Sequence, residues 1–243
     1  MRALTFAKRN TKEILRDPLN LIFGLGFPLV LIALLSLIQS NIPVKLFEIG
    51  HLTPGIAVFG LSFMSLFSAT IIAKDRSSSF LPRLYTTPMR SSDFILGYAI
   101  PFIPIALVQS VICYIAAVIL GLNITLNILY AILFTIPVSL LYISLGILCG
   151  SILNDKQVGG ICGALLTNLS AWVSGIWFDL SLMGEGFQKA AYALPFVHAV
   201  DMERAVLAGD FTGAFPHFWW VLGYATLLML LAVLLFLRQM KRQ

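Results

Sequence analysis

Long apolar runs alternate with short polar segments along this chain, and the first turns of the sequence break the rhythm. In MRALTFAKRNTKEILR, Leu4, Ala7, Thr11, Ile14 and Leu15 recur at helical spacing, flanked by Arg2, Lys8, Arg9, Lys12 and Arg16. That pattern predicts an amphipathic helix over residues 1–18, lying on a membrane surface. Asp17-Pro18 ends it, because proline disfavours helix at the residue before it. Apolar runs then follow at about 19–38, 52–73, 94–120, 126–152, 158–178 and 218–237. Twenty helical residues rise about 30 Å, the thickness of a bilayer's hydrocarbon core. Six spanning helices are therefore predicted, with a kink near Pro101 and Pro104 in the first turns of the third.

The segment 179–215 fits no span. AAYALPFVHAV, residues 190–200, is apolar but too short to cross and is broken by Pro195, so it is expected to be re-entrant or interfacial. DMERAVLAG then suggests a short amphipathic helix capped by Gly209. Trp219 and Trp220 are expected at the start of the last span, where interfacial tryptophans belong.

Composition supports this pattern. The 243 residues are 59% hydrophobic and 11% charged, more apolar side chain than a soluble domain of this size can hide from water. The predicted class is an all-α membrane protein. It has an interfacial helix over 1–18, one transmembrane domain over 19–237 and a tail over 238–243.

Charge orients the bundle. Of the 16 Lys and Arg, thirteen fall on the side of the two termini; Lys45, Lys189 and Arg204 fall on the other. The positive-inside rule then places both termini and the loop 74–93 in the cytoplasm, and 179–215 outside. No dense basic cluster with interleaved aromatics marks a nucleic-acid surface. Cys113, Cys149 and Cys162 lie in apolar runs without zinc spacing, and read as small buried residues. His51, His198 and His217 show no i, i+4 pair and fall near the outer ends of spans, which suits polar interfacial residues rather than a metal site. No G-x-x-x-x-G-K-[ST] is present, so this chain is not expected to hydrolyse ATP. Strong charges are absent from span centres, which argues against an ion-coupled carrier. Gln109 and Asn168 are the notable polar groups within spans. They either line a pathway between two protomers or hydrogen-bond helices together.

The loop DRSSSFLPRLYTTPMRSSDFILGY, residues 75–98, bears most directly on function. Ser77, Ser78 or Ser79 can cap a short helix that carries Phe80, Arg83 and Leu84 on one face and stops at Pro88. Such a loop is either a docking element for a soluble partner or a solvated connector that supplies topogenic charge.

The chain resembles the type-2 ATP-binding-cassette transporter permeases, the class that includes daunorubicin-type drug exporters and capsule or O-antigen exporters. The resemblance rests on LRDP at 15–18, FP at 27–28 and TTPMRSSDFILGY at 86–98, in order across the spans. Within the last stretch Thr87, Pro88, Arg90, Asp93, Leu96 and Gly97 match the family pattern. The family's Glu-x-Gly-Thr stretch is replaced here by Ser77, Ser78 and Ser79. The resemblance implies a coupling helix in this loop that docks on a separate cytoplasmic ATPase subunit, present in two copies, which binds the ATP and magnesium. It implies contacts from Arg9, Lys12, Arg76, Ser79, Phe80, Arg83, Leu84, Tyr85 and Pro88, and a second permease protomer completing the pathway in a bacterial cell membrane. An amphipathic substrate, exported, is the expected cargo. The alternatives are a non-transporting membrane scaffold or sensor subunit, or a secondary transporter.

Overall fold

Each apolar run is helical over most of its length, and no strand occurs among the described residues. The structure, a computed structural model, describes residues 2–43, 47–78, 80–85 and 91–240. In chain order the helices are α1 (Arg2–Leu15), α2 (Pro18–Ser40), α3 (Ile49–Ser77), α4 (Phe80–Tyr85), α5 (Ser91–Ala99), α6 (Phe102–Ile119) and α7 (Leu126–Ile152). They continue with α8 (Asp155–Val158), a π-helical stretch (Gly159–Leu166), α9 (Thr167–Val173), a 3₁₀ turn (Leu180–Met183), α10 (Glu185–Tyr192), α11 (Pro195–Ala208) and α12 (Phe211–Met240).

Among the described residues, five runs are long and apolar enough to cross a membrane: Leu21–Ser40, Ile49–Ser77, Ser92–Ile119, Leu126–Ile152 and Phe211–Arg238. The remaining predicted span is an unbroken helical run over 155–173 whose hydrogen-bond register shifts at Gly159–Leu166. Thr167 Oγ1 donates to the Cys162 carbonyl five residues back, at 2.9 Å, a pairing that the wider π turn permits. The predicted kink lies at Ile100–Pro101, where α5 gives way to α6.

Burial separates an inner helix from outer ones. The apolar window of α3 is 83% buried, those of α2 and α12 only 22%, so α3 forms the centre and the other two turn outward. The α3–α7 contact depends on small residues. A Cβ on Gly146 would overlap Ser68 Oγ and the Ser65 carbonyl, and one on Gly150 would lie 2.7 Å from the Ala69 carbonyl. Gly146 and Gly150 form a small-xxx-small face that brings the two backbones together where lipid offers no hydrophobic drive.

Local chemistry sets the turns. Asn154 accepts from the Gln157 backbone N–H at 2.9 Å while Gln157 Oε1 accepts from the Asn154 N–H at 3.1 Å, a reciprocal cap that starts α8. Gly209, at φ 83°, takes the left-handed position that ends α11.

The structure refines three expectations. The buried face of α1 is Phe6, Ala7, Asn10 and Ile14, while Leu4 and Leu15 are 63% and 61% exposed. The helix turns this way because Asn10 finds a carbonyl on α5, a pairing that spacing could not reveal. Pro195 interrupts the run 190–200 as expected, with α10 ending at Tyr192, but it also starts α11, so the helix read from DMERAVLAG begins at Pro195 and runs to Ala208, since a first-turn proline has no intrahelical N–H to lose. The last span starts at Phe211 rather than 218, because Asp210 accepts from the Thr212 hydroxyl at 2.8 Å and the Gly213 N–H at 2.9 Å. Trp219 and Trp220 therefore sit in its third turn.

Candidate functional site

The end of the bundle where α1 lies is built around one ion pair. Arg9 of α1 donates Nη1 to Asp75 Oδ2 at 2.6 Å and Nη2 to Asp75 Oδ1 at 2.8 Å. Asp75 stands on the last turns of α3, 4% exposed. The Tyr98 hydroxyl of α5 donates to the same carboxylate at 2.9 Å. A forked guanidinium matched to a carboxylate fixes orientation as well as distance. Arg9 Nη1 also donates to Asn10 Oδ1 at 2.8 Å, and Asn10, fully buried, donates to the Gly97 carbonyl at 2.9 Å.

Aromatic packing extends this knot to α4. The Arg9 guanidinium lies 4.4 Å from the centroid of the Phe80 ring, within cation–π range. Phe6 stacks on Phe80 at 6.5 Å and meets Tyr98 edge-on at 4.9 Å and Phe94 at 6.0 Å. A Cβ on Gly97 would overlap the Phe6 ring, so glycine there lets α1 lie close against α5. Arg9 thereby touches three elements at once: its own helix, the end of α3 and the first residue of α4.

Arg76, the next residue on α3, ties in a fourth. Its Nη1 donates to the Ser151 carbonyl, and its Nη2 to the Leu153 carbonyl and, at 3.4 Å, to that of Ile152. These are the last carbonyls of α7, and a cation there meets the negative end of the helix dipole. Through these contacts α4 is packed on α1, α1 is joined to the end of α3, and α3 to the end of α7.

The residues singled out in the sequence sort as follows. Arg9, Arg76 and Phe80 form the knot itself, with Arg9 and Arg76 turning their guanidinium groups onto this chain. Ser78 supplies a cap to α4: its hydroxyl accepts from the Phe80 N–H at 3.4 Å. Leu84 is half-buried against the protein's own core, while Arg83 and Lys12 are exposed. Ser79, Pro88 and the Tyr85 side chain lie outside the described residues. Sequence reading passed over Asp75, Tyr98 and Asn10. The available signal was Asp75 itself, a lone acid at the end of an apolar run among basic residues.

A family model described as ABC-2 type transporter matches residues 2–208. The chain belongs to the ABC-2 type transporter family. Comparison with curated proteins gave no match. The chain is a multi-pass membrane permease subunit of an ABC transporter, and members of this family normally work with an ATPase subunit.

The two pathway candidates of this ABC-2 subunit separate in space. Gln109 is fully buried inside the protomer, where its Nε2 donates to the Ala57 carbonyl of α3 at 3.3 Å; it joins α6 to α3. Asn168 is exposed on the protomer's surface, its Nδ2 donating to the Ala164 carbonyl at 2.8 Å.

At the opposite end of the bundle, a cavity of about 570 Å³ is lined by Glu48, His51, Trp177, Asp179, Tyr192, Asp201 and Arg204, among others. Arg204 closes its floor, donating to the carbonyls of Gly175 at 2.9 Å and His51 at 3.2 Å; burial lowers its pKa. Outside the cavity lining, two histidines that spacing did not pair meet between α11 and α12: His198 Nδ1 and His217 Nδ1 are 2.7 Å apart. His198 Nε2 lies 2.9 Å from the Tyr192 carbonyl. A carbonyl only accepts, so His198 carries its proton on Nε2 and its Nδ1 accepts from His217. The His198 ring also stacks on Trp220 at 4.9 Å, which clamps α11 to α12.

Proposed function

We propose that this subunit forms a translocation pathway with a second permease protomer and is driven by two copies of a cytoplasmic ATPase that dock at α4 and the adjoining face of α1. The observation that carries this reading is the Arg9 knot. The six-residue helix α4 meets α1 through Phe80, which stacks on Phe6 and takes the Arg9 guanidinium over its ring, and Arg9 is itself forked to Asp75 at the end of α3. A mere connector needs none of these; a lever that passes a partner's movement into the bundle needs all of them. Arg83, Lys12 and the neighbouring Lys8 and Arg16 supply an exposed basic surface beside it. In this reading the helical run 155–173 is the fifth of six spans, both termini are cytoplasmic, and α10 and α11 form an extracytoplasmic re-entrant segment. Asn168, polar on an otherwise apolar outward face, suits a contact with the second protomer or the pathway between them. The cargo is an exported amphipathic molecule, such as a drug, peptide or lipid-like compound, since the spans offer no fixed charge to a small ion.

Arg83→Glu tests the docking directly. Leu84 is a poorer target, because it packs on the protein's own core. Like charges brought together at an interface cost several kcal/mol, so co-purification of the ATPase should fall about tenfold or more, one decade for each 1.4 kcal/mol. Membrane levels should stay normal, because no span is altered. Unchanged co-purification and unchanged ATP turnover of the complex would reduce α4 to a connector. A second expected result concerns the isolated chain. Purified free of partners, it should show no hydrolysis of magnesium-ATP, and activity should return with the co-purified ATPase. Hydrolysis by the rigorously purified chain would refute the division of labour.

A further inference from the structure

One carboxyl inside the bundle takes no part in the knot at the α1 end. Glu203, on the inward face of α11, is fully buried. Among the described residues its Oε1 has no hydrogen-bond partner, and its Oε2 receives the Tyr114 hydroxyl of α6 at a long 3.5 Å. No ion pair within the described residues offsets it. The neighbouring guanidinium on the helix, that of Arg204, is turned to the carbonyls of Gly175 and His51 and lies 3.9 Å from Asp201. An ionised carboxylate cannot be held in such a place, because desolvation costs far more than one long hydrogen bond returns.

We propose that Glu203 is a proton-binding site: α11 docks in the bundle with this carboxyl protonated, and undocking releases the proton to water.

The groups around it are few. Tyr114, beside Cys113 on α6, is the titratable group that faces the carboxyl. Elsewhere on α11, His198 meets His217 of α12, and Asp201 accepts from the Tyr192 hydroxyl of α10 at 3.0 Å. Among the described residues, α3, α7 and α9 bring no charged group to Glu203. Burial pushes its carboxyl well above the usual carboxylate range, with the Tyr114 hydroxyl acting the other way.

The sign follows from linkage. Undocked, in water, a glutamate titrates near its ordinary value of about 4.3. Docking is therefore undiminished below about pH 4. Between that value and the raised value of the docked group, each pH unit shifts the equilibrium about tenfold toward the undocked form. Alkaline conditions thus loosen α11, and its opening sheds one proton per protomer; that this happens on the outer face rests on the orientation proposed above.

Amide hydrogen exchange of α11 in the purified full chain, between about pH 6 and 8, reads this out whichever way the chain faces. After correction for base-catalysed exchange, α11 opening in the wild-type protein should rise with pH, by at most about tenfold per pH unit, while α7 amides stay level. In Glu203→Gln, which keeps the shape of the neutral acid, the corrected α11 opening should not change with pH. Infrared difference spectra at neutral pH should show a protonated-carboxyl band in the wild type that Glu203→Gln lacks. The wild-type exchange needs no variant, so misfolding of the Glu203→Gln protein would leave the test intact. An α11 opening independent of pH in the wild type, or no such band, would overturn the proposal.

Discussion

Asp75→Ala should loosen the α1 end of the bundle and uncouple the permease from its ATPase in the same step. Breaking a fully buried ion pair costs roughly 3–5 kcal/mol, because the remaining charge is stranded. Here the Arg9 side chain keeps 35% of its surface in solvent, so water recovers part of that loss and about 2–3 kcal/mol is expected. Tyr98 loses its acceptor as well, and α4 loses the fixed cation beneath Phe80. Thermal unfolding in detergent should shift down, and ATP turnover of the assembled complex should no longer respond to the permease. Arg9→Lys should fall between, since an ammonium keeps the charge but not the fork. An unfolding temperature and a turnover both equal to wild type in Asp75→Ala would remove the knot from the coupling route.

Gly146→Val should be the most damaging single change in the membrane core. Its first added carbon already overlaps Ser68 Oγ and a backbone carbonyl of α3. A side chain can rotate away, but the Ser65 carbonyl cannot move without bending the central helix. Overpacking typically costs about 1–3 kcal/mol, and the backbone contact places this site at or above the top of that range. Little folded protein is expected in the membrane, and any that is recovered should unfold at a lower temperature. Gly223→Val supplies the control. Nothing lies within 4 Å of a Cβ at that position on α12, so the protomer should tolerate it. Equal stability of the two variants would mean that α3 and α7 do not rely on close approach.

Much of the architecture could be read directly. Apolar runs of membrane length and the cap signal at Gly209 are properties of consecutive residues, and consecutive residues are what a sequence displays. The starts of α11 and α12 were harder. Pro195 interrupts the apolar run and also opens α11, because in a first turn it loses no hydrogen bond. Pro216 lies inside α12, so the start of that helix is set earlier, by the Asp210 cap. On α1, Leu4 and Leu15 carry part of the apolar signal, while Asn10 supplies the contact with α5.

Hydrophobicity and local propensity act residue by residue. They suffice to settle the solvent this chain needs, its helices and the polar element between the second and third spans. What the charged groups do was settled by packing instead. Arg9 and Asp75 are 66 residues apart, His198 and His217 are 19 apart on different helices, and Glu203 faces a tyrosine 89 residues away. Whether a charge is paired, capping a helix or held neutral depends on which partner the folded chain brings within hydrogen-bond distance, and no periodicity along the chain encodes that distance.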